Sequence, residues 1–371
     1  MKRVKSINSI LKGNKELPIV ISGPCSAETE DQLITSAIEL KKTNKVDVLR
    51  AGIWKPRTKP GSFEGVGVEA LKWMAQAKKE TGLKTAVEVA NVKHVYQALN
   101  HGVDVLWLGA RTTVNPFAVQ EIADALDGVN TTVLLKNPIN PDLSLWEGSV
   151  ERILNSGIKN VGVIHRGFSK YGASKFRNPP QWQIPIELKR KFPELTMICD
   201  PSHICGNTQD LLTVSQKALD LNFDGVMLES HINPSKAWSD AKQQVTPKEL
   251  SELVNQLVVR KTNQLEGEQT VELDILRQKI NLIDNELIDL LSGRMELSDD
   301  IGAYKKSKGM KILQTSRWDE ILDKSIKEGH EKGLSRDFVV KFLSTIHLES
   351  IDRQNQIMNS NSWINKVFSI K

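Results

Sequence analysis

The sequence runs out of proline two thirds of the way along. All 14 prolines lie at or before Pro247, and the rest of the chain has none. Proline-free sequence suits uninterrupted helices, whereas proline-punctuated sequence suits short elements joined by turns. Cysteine is scarce. Cys25, Cys199 and Cys205 are an odd count without a framework, which argues against structural disulfides. Cys199, inside the apolar run TMICD, reads as a buried small hydrophobe, and Cys205 as a loop residue. Cys25 follows Gly-Pro at the end of an apolar run, an unusual place for a core residue. No apolar run approaches the length of a membrane span. The opening stretch MKRVKSINSILKG is basic but lacks the apolar region and cleavage site of a secretory signal. No basic run is interleaved with aromatics, so nucleic acid is not indicated. The expectation is a cytoplasmic enzyme. Its mild net charge of +5 suits small anionic substrates, with no membrane or nucleic-acid partner.

What is present divides at the proline boundary. The polar stretch KTNQLEGEQT, with no helical periodicity, reads as a linker at 261–270 between domains at 1–260 and 271–371. Before it, eight short apolar runs alternate with amphipathic segments such as 68–80 and 209–221. The runs are PIVISGP, VDVLRAG, KTAVEVA, VDVLWLGA, TTVLLKNP, NVGVIHRG, LTMICDPSH and FDGVMLESH. They alternate little, as strands buried on both faces should. Eight such repeats predict an α/β fold, the (β/α)8 barrel, with a doubly wound open sheet as the alternative. After the linker a smaller all-α domain with one long helix is expected.

The barrel reading gathers function at the C-terminal ends of the strands. The eight runs end in Cys25, Arg50, Glu88, Arg111, Lys136, Arg166, His203 and Glu229. The loop RAGIWKPRTKPG after the second run adds Lys55, Arg57 and Lys59 and contains no acid. Arg50, Lys55, Arg57, Arg111, Lys136 and Arg166 would repel one another in one barrel mouth without anions. They point to heavily anionic ligands, more than one phosphorylated molecule among them. Cys25, His203, Glu229 and Asp240 combine a thiolate, an imidazole and two carboxylates. That donor set fits a divalent metal ion of the Mn, Fe, Co or Zn kind better than Mg. His203 alone also fits a hydrogen-bonded loop histidine.

GPCSAE, RAGIWKPRT, LGAR, LLKNP, HRG, DPSH, ESH and WSD, in that order, resemble 3-deoxy-D-arabino-heptulosonate 7-phosphate (DAHP) synthase of the short bacterial type, over about 18–257. The resemblance implies condensation of phosphoenolpyruvate with erythrose 4-phosphate, the first shikimate step. It implies metal ligation by Cys25, His203, Glu229 and Asp240, and phosphoenolpyruvate binding by Arg50, Lys55, Ala110, Arg111, Lys136 and Arg166. Arg57 and Thr58 match the erythrose phosphate contacts. Lys55 matches a proton donor to the aldehyde-derived oxygen, and Glu88 a group orienting water or cations. His165 stands where this type has glutamate, and Lys59 where serine is common. The competing relative acts on arabinose 5-phosphate; KPRT favours the four-carbon sugar, and Cys25 excludes the metal-independent form. With the first strand opening at Pro18, no separate N-terminal regulatory domain is expected.

In the second domain Leu273, Leu276, Ile280, Ile283, Leu287, Leu290, Arg294, Leu297 and Ile301 recur at steps of three and four. This is a heptad-like seam on a helix roughly 45 Å long, which calls for a partner helix and at least a homodimer. Further helices are expected near 317–331 and 336–359. Arg294 interrupts the seam and needs an acidic partner or an anionic ligand. Lys305 lies on the same face. Arg277 points elsewhere and could reach the same pocket from a second chain. Pattern alone leaves open a coiled-coil dimeriser with a salt-bridged arginine. LRQKINLIDNELIDLLSGRMEL, IGAYKK, SRWDE and ESIDRQ resemble the all-helical chorismate mutases over about 273–356. That resemblance implies rearrangement of chorismate to prephenate without a cofactor. Arg277, Arg294, Lys305 and Arg317 match the ligand-binding cations, with Arg294 and Lys305 the catalytic pair, and Ser350 and Gln354 the polar contacts. Gln314 and Trp318 stand where many members carry acids. An isochorismate pyruvate lyase and a non-catalytic sensor are the alternatives. Feedback inhibition of the barrel by prephenate or chorismate is the expected reason for the fusion.

Overall fold

The computed structural model describes residues 6–11, 18–56, 60–260 and 268–359. The chain divides into two units, Met1–Thr262 and Asn263–Lys371.

The first unit holds eight strands: β1 (Ile19–Gly23), β2 (Val48–Ala51), β3 (Lys84–Val89), β4 (Val105–Leu108), β5 (Thr132–Lys136), β6 (Asn160–His165), β7 (Thr196–Cys199) and β8 (Gly225–Glu229). Each falls within one of the eight apolar runs. All pair in parallel and in sequence order, and β8 returns to β1 with Val20 opposite Val226. Closure excludes the open doubly wound sheet. Side chains alternate across each strand. Ile21, Val48, Ala86, Trp107, Leu134, Ile164, Ile198 and Met227 fill the barrel. Val20, Leu49, Val87, Leu106, Val133 and Val163 face the helical layer.

The short helix Asn8–Leu11 closes the end of the barrel where the strands begin. Ile7 and Leu11 enter the inner core, the Ile7 N–H donates to Thr196 Oγ1 at 3.0 Å, and Asn8 Nδ2 donates to Asp224 Oδ1 at 2.6 Å. The opposite end stays open. Cys205 corrects the sequence reading: Pro201–Cys205 is a helical turn, not a loop, and Cys205 is buried at its end. Asp200 caps it and Pro201 opens it, the favoured N-terminal arrangement. Cys199 is buried, as expected.

His165, the last residue of β6, turns outward into a box of Trp146, Phe168, Trp182 and Phe223, with ring centroids 5.4–6.1 Å away. Neither ring nitrogen makes a well-formed hydrogen bond, although the Pro180 carbonyl lies nearby. Burial pushes its pKa down to about 3. A base with a lowered folded pKa stabilises above its unfolded value and loses that contribution as pH falls. Between pH 6.5 and 4.5 the barrel should therefore lose up to about 1.4 kcal/mol per pH unit through His165. Thermal melts of His165→Phe should show a flatter dependence in that window; equal slopes would remove this account.

The second unit is helical: Glu268–Ser307, Thr315–Glu331 and Arg336–Asn359. The first has 40 residues, about 60 Å, longer than its heptad span. It begins inside the stretch read as linker, because Glu268, Gln269 and Thr270 are helical. Helix Arg336–Asn359 packs on its C-terminal half. Met295, Ser298, Gly302 and Lys305 are buried there, and a Cβ on Gly302 would stand 3.1 Å from Gln354 Cα. Among the described residues nothing covers the apolar seam: Ile280 and Ile283 are 57% exposed and Leu290 is 71% exposed. No helix among the described residues is long and apolar enough to cross a membrane.

Candidate active site

The open end of the barrel is a cleft. Cys25, Arg50, Lys55, Ala110, Arg111, Lys136, Arg166, His203, Glu229 and Asp240 all line it. The barrel thus brings these ten together, and with them Glu88. Arg57 and Thr58, with Lys59, lie outside the described residues.

Backbone packing makes the convergence possible. At Gly23 the backbone has a φ of 152°, and a Cβ would stand 2.0 Å from the Arg50 carbonyl oxygen. Only glycine lets β1 pass β2 so closely before Cys25. Arg50 is buried, with its NH1 3.1 Å from Glu229 Oε1 and its NH2 3.2 Å from the Cys25 carbonyl oxygen. Lys136 Nζ is 2.8 Å from Asp200 Oδ2. The Trp107 ring takes both cations on its face, Arg50 at 5.0 Å and Lys136 at 5.9 Å. Its Nε1–H donates to Glu88 Oε2 at 3.0 Å, holding that carboxylate in place.

The electrostatics show the crowding of positive charge. Burial, reinforced by Arg177 and Arg111 and opposed by Asp200, pushes Arg166 down to about 10. It remains a cation at neutral pH, but one that an anion would stabilise. Arg177 was missed in the sequence. It reaches the cleft from the loop after β6 and bonds Asp240 Oδ1 at 3.0 Å and Gln243 Oε1 at 2.9 Å.

The four metal-type donors stand on one side. Burial, beside Glu229, pushes the Cys25 thiol up to about 12. Lys55 Nζ donates to Cys25 Sγ at 2.6 Å and to Ser239 Oγ at 2.8 Å, and stands 3.7 Å from Asp240 Oδ2. Asp240 has a left-handed backbone, φ 49°, uncommon for a residue with a side chain. Burial opposes its ionisation, yet Lys55 and Arg177 hold its carboxyl below the usual range. Asp200, also missed though present in DPSH, orients His203. Its carboxylate accepts from His203 Nδ1 at 3.0 Å, which leaves Nε2 3.8 Å from Glu229 Oε1. Burial lowers the His203 pKa, keeping the ring neutral as a metal ligand must be. The donor chemistry fits a divalent ion. Lys55 and Arg50 now balance the donors, and among the described residues no three of them converge on one point.

The helical unit assembles a second polar cluster. Arg294 NH1 donates to Ser350 Oγ at 2.6 Å. Lys305 Nζ donates to the Ile312 carbonyl oxygen at 2.6 Å and to Gln354 Oε1 at 3.1 Å. Arg294 therefore meets a hydroxyl and not an acid, the first of the two partners expected for it. Burial lowers the Lys305 pKa. Arg277 and Arg317 are not brought to this cluster within the chain; each is exposed, paired with Asp274 and Glu320 respectively. Seventeen residues of helix, about 25 Å, separate Arg277 from Arg294. Trp318 stacks on His347 at 4.1 Å. His347 shares the three-and-four spacing of Ser350 and Gln354, a stripe the motif reading passed over.

A closed barrel with a cation-lined mouth, followed by a helical unit with its own cationic cluster, defines an enzyme of phosphorylated and carboxylated metabolites carrying two catalytic folds. The chain belongs to the DAHP synthetase I family, whose model matches residues 2–266. Residues 276–355 match chorismate mutase type II. Together the families indicate both activities, a 3-deoxy-7-phosphoheptulonate synthase and a chorismate mutase. Phospho-2-dehydro-3-deoxyheptonate aldolase of Thermotoga maritima is 29% identical over 238 residues, 64% of this chain and 68% of that protein. The crystal structure of the Thermotoga maritima DAHP synthase aligns with a TM-score of 0.58 at 28% identity, covering 65% of this chain and 68% of that one. 2-Dehydro-3-deoxyphosphooctonate aldolase of Wolinella succinogenes is 26% identical over 267 residues, 65% of this chain and 98% of that protein.

Proposed function

We propose that the barrel condenses phosphoenolpyruvate with erythrose 4-phosphate in a metal-dependent reaction. The observation that carries this is one cleft lined by Arg50, Lys55, Arg111, Lys136, Arg166 and Arg177 beside Cys25, His203, Glu229 and Asp240. Those last four would hold the ion, of the Mn, Fe, Co or Zn kind. Bound there, it supplies Lewis acidity towards an aldehyde oxygen. Arg50, Lys136, Arg111 and Arg166 hold the phosphate and carboxylate of phosphoenolpyruvate and stabilise charge as C3 forms the new carbon–carbon bond. Ala110 lends its backbone beside Arg111. Lys55 delivers a proton to the aldehyde-derived oxygen. Water adds at C2 and phosphate leaves with C–O cleavage, Glu88 orienting groups on that side. Arg57 and Thr58 take the sugar phosphate. Phosphoenolpyruvate consumption should proceed with erythrose 4-phosphate; consumption with arabinose 5-phosphate alone would overturn this assignment.

For the helical unit the proposal is that Arg294, Lys305, Ser350 and Gln354 bind chorismate and hold it compact while positive charge faces the breaking C–O bond. Arg317 closes on the ligand, and Arg277 arrives from a second copy. The uncovered seam of Leu276, Ile280, Ile283, Leu287 and Leu290 supports that dimer. A cytoplasmic setting, where thiols stay reduced, goes with three free cysteines. We further infer that prephenate or chorismate bound in this unit inhibits the barrel. Prephenate titrated into a synthase assay should lower the rate. Unchanged rates with binding confirmed by calorimetry would eliminate the feedback role.

A further inference from the structure

The segment between β8 and the helix Pro247–Gln256 carries Asp240 in its left-handed conformation. Such a conformation persists only where surrounding structure holds it. Gln244 is one anchor, its Oε1 accepting the Cys25 N–H and its Nε2 donating to the Ser239 carbonyl, each at 2.9 Å. A second is a buried acid with no role so far, Glu28, from the loop after β1. Glu28 Oε1 accepts the Trp238 N–H at 2.8 Å. Its Oε2 faces His231 Nε2 at 3.4 Å, an ion-pair distance without hydrogen-bond alignment. The Asn233 N–H donates to His231 Nδ1 at 2.8 Å, so the ring proton sits on the nitrogen nearer Glu28. Two residues earlier in the same loop, Ser26 Oγ lies 2.5 Å from Ser239 Oγ, the hydroxyl that receives Lys55. One glutamate thus ties both ends of the stretch 231–238, immediately before Ser239 and Asp240. The Trp238 ring in turn meets Phe63 edge-on at 5.2 Å, on the loop that follows β2.

We propose that Glu28 is a positioning residue. By latching the segment after β8 to the loop after β1, it sets the place of Asp240 against Cys25 and of Ser239 against Lys55. It need not touch substrate. Its importance follows from geometry: Asp240 Oδ2 stands 3.3 Å from Cys25 Sγ, yet 215 residues separate them, and no strand pairing fixes Asp240. Supporting groups behind a metal ligand typically change affinity by about 10–100-fold when lost.

This inference rests on the metal reading, and the test separates the two. The full chain is titrated with Co²⁺ alone, and the thiolate-to-cobalt charge-transfer band is followed. Glu28→Ala should bind Co²⁺ at least about tenfold more weakly, with a shifted band. Glu28→Gln keeps an oxygen for the Trp238 N–H and should recover most of the affinity. Ser26→Ala removes the hydroxyl pair with Ser239 and the longer 3.5 Å contact to Glu28 Oε1 but leaves the Glu28–Trp238 bond, and should weaken binding about threefold, a milder arm should Glu28→Ala fold poorly. Steady-state kinetics should show kcat falling in Glu28→Ala with little change in KM for phosphoenolpyruvate. A Glu28→Ala chain with unchanged cobalt affinity and spectrum overturns the proposal, as does a folded Glu28→Gln no better than Glu28→Ala. A native chain with no cobalt band removes the metal reading, and this inference with it.

Discussion

Arg50→Leu should lower kcat/KM for the condensation by at least about a thousandfold, of order 4 kcal/mol of transition-state stabilisation. Arg50 joins three features of the cleft. It pairs with Glu229, it holds the Cys25 carbonyl, and it lies over the Trp107 ring beside Lys136. Burial works against the Glu229 carboxylate, while His203, Arg50 and Lys55 keep its pKa below the ordinary value. On the proposed function, removing Arg50 therefore costs an anion-binding fork and also weakens the hold on Glu229. Gln243 Nε2 still donates to Glu229 Oε2 at 2.7 Å, so the carboxylate keeps one partner and the barrel should fold. Chorismate rearrangement by the same preparation serves as the internal control and should be unchanged. A loss of condensation smaller than tenfold would show that Arg50 is structural rather than part of the anion site.

Arg294→Ala should abolish the rearrangement of chorismate while the uninhibited condensation rate stays within about twofold. The expected loss is again at least about a thousandfold, because the guanidinium must act where charge develops and water cannot replace a preorganised donor. In the structure it is half-buried and donates to Ser350 Oγ, whose own hydrogen goes to the Ile346 carbonyl at 2.9 Å, so the substitution leaves no buried charge unpaired. Stability should change little, and sedimentation should still report the native oligomer. Persistence of turnover in Arg294→Ala would move the reaction elsewhere. A native chain that binds prephenate without turning chorismate over would make the helical unit a sensor.

The barrel was legible because a parallel strand buried on both faces leaves an unbroken Val/Ile/Leu run, and eight such runs appear in order. Its mouth was legible because the topology delivers every strand's C-terminal end to one place. Trp107 and Asp200 were not, since each sits within a run or turn and acts only on neighbours from other strands: Trp107 under Arg50 and Lys136, Asp200 between Lys136 and His203. Arg177 lies eleven residues beyond Arg166 in a loop, where spacing carries no directional information.

The helical unit shows the complementary limit. Its seam was visible at steps of three and four, yet within one chain the helix Arg336–Asn359 covers a neighbouring stripe instead, at Met295, Ser298, Gly302 and Lys305. The sequence by itself determined the strand count, the proline boundary, the sign of charge at the barrel mouth and the chemistry of the donors, because composition and period are local properties. Tertiary structure alone decided which cations balance which acids, that Arg294 meets Ser350, and that a glutamate beside the first strand anchors the segment bearing Asp240. Those are contacts between residues tens to hundreds of positions apart, and only the closed fold sets their distances.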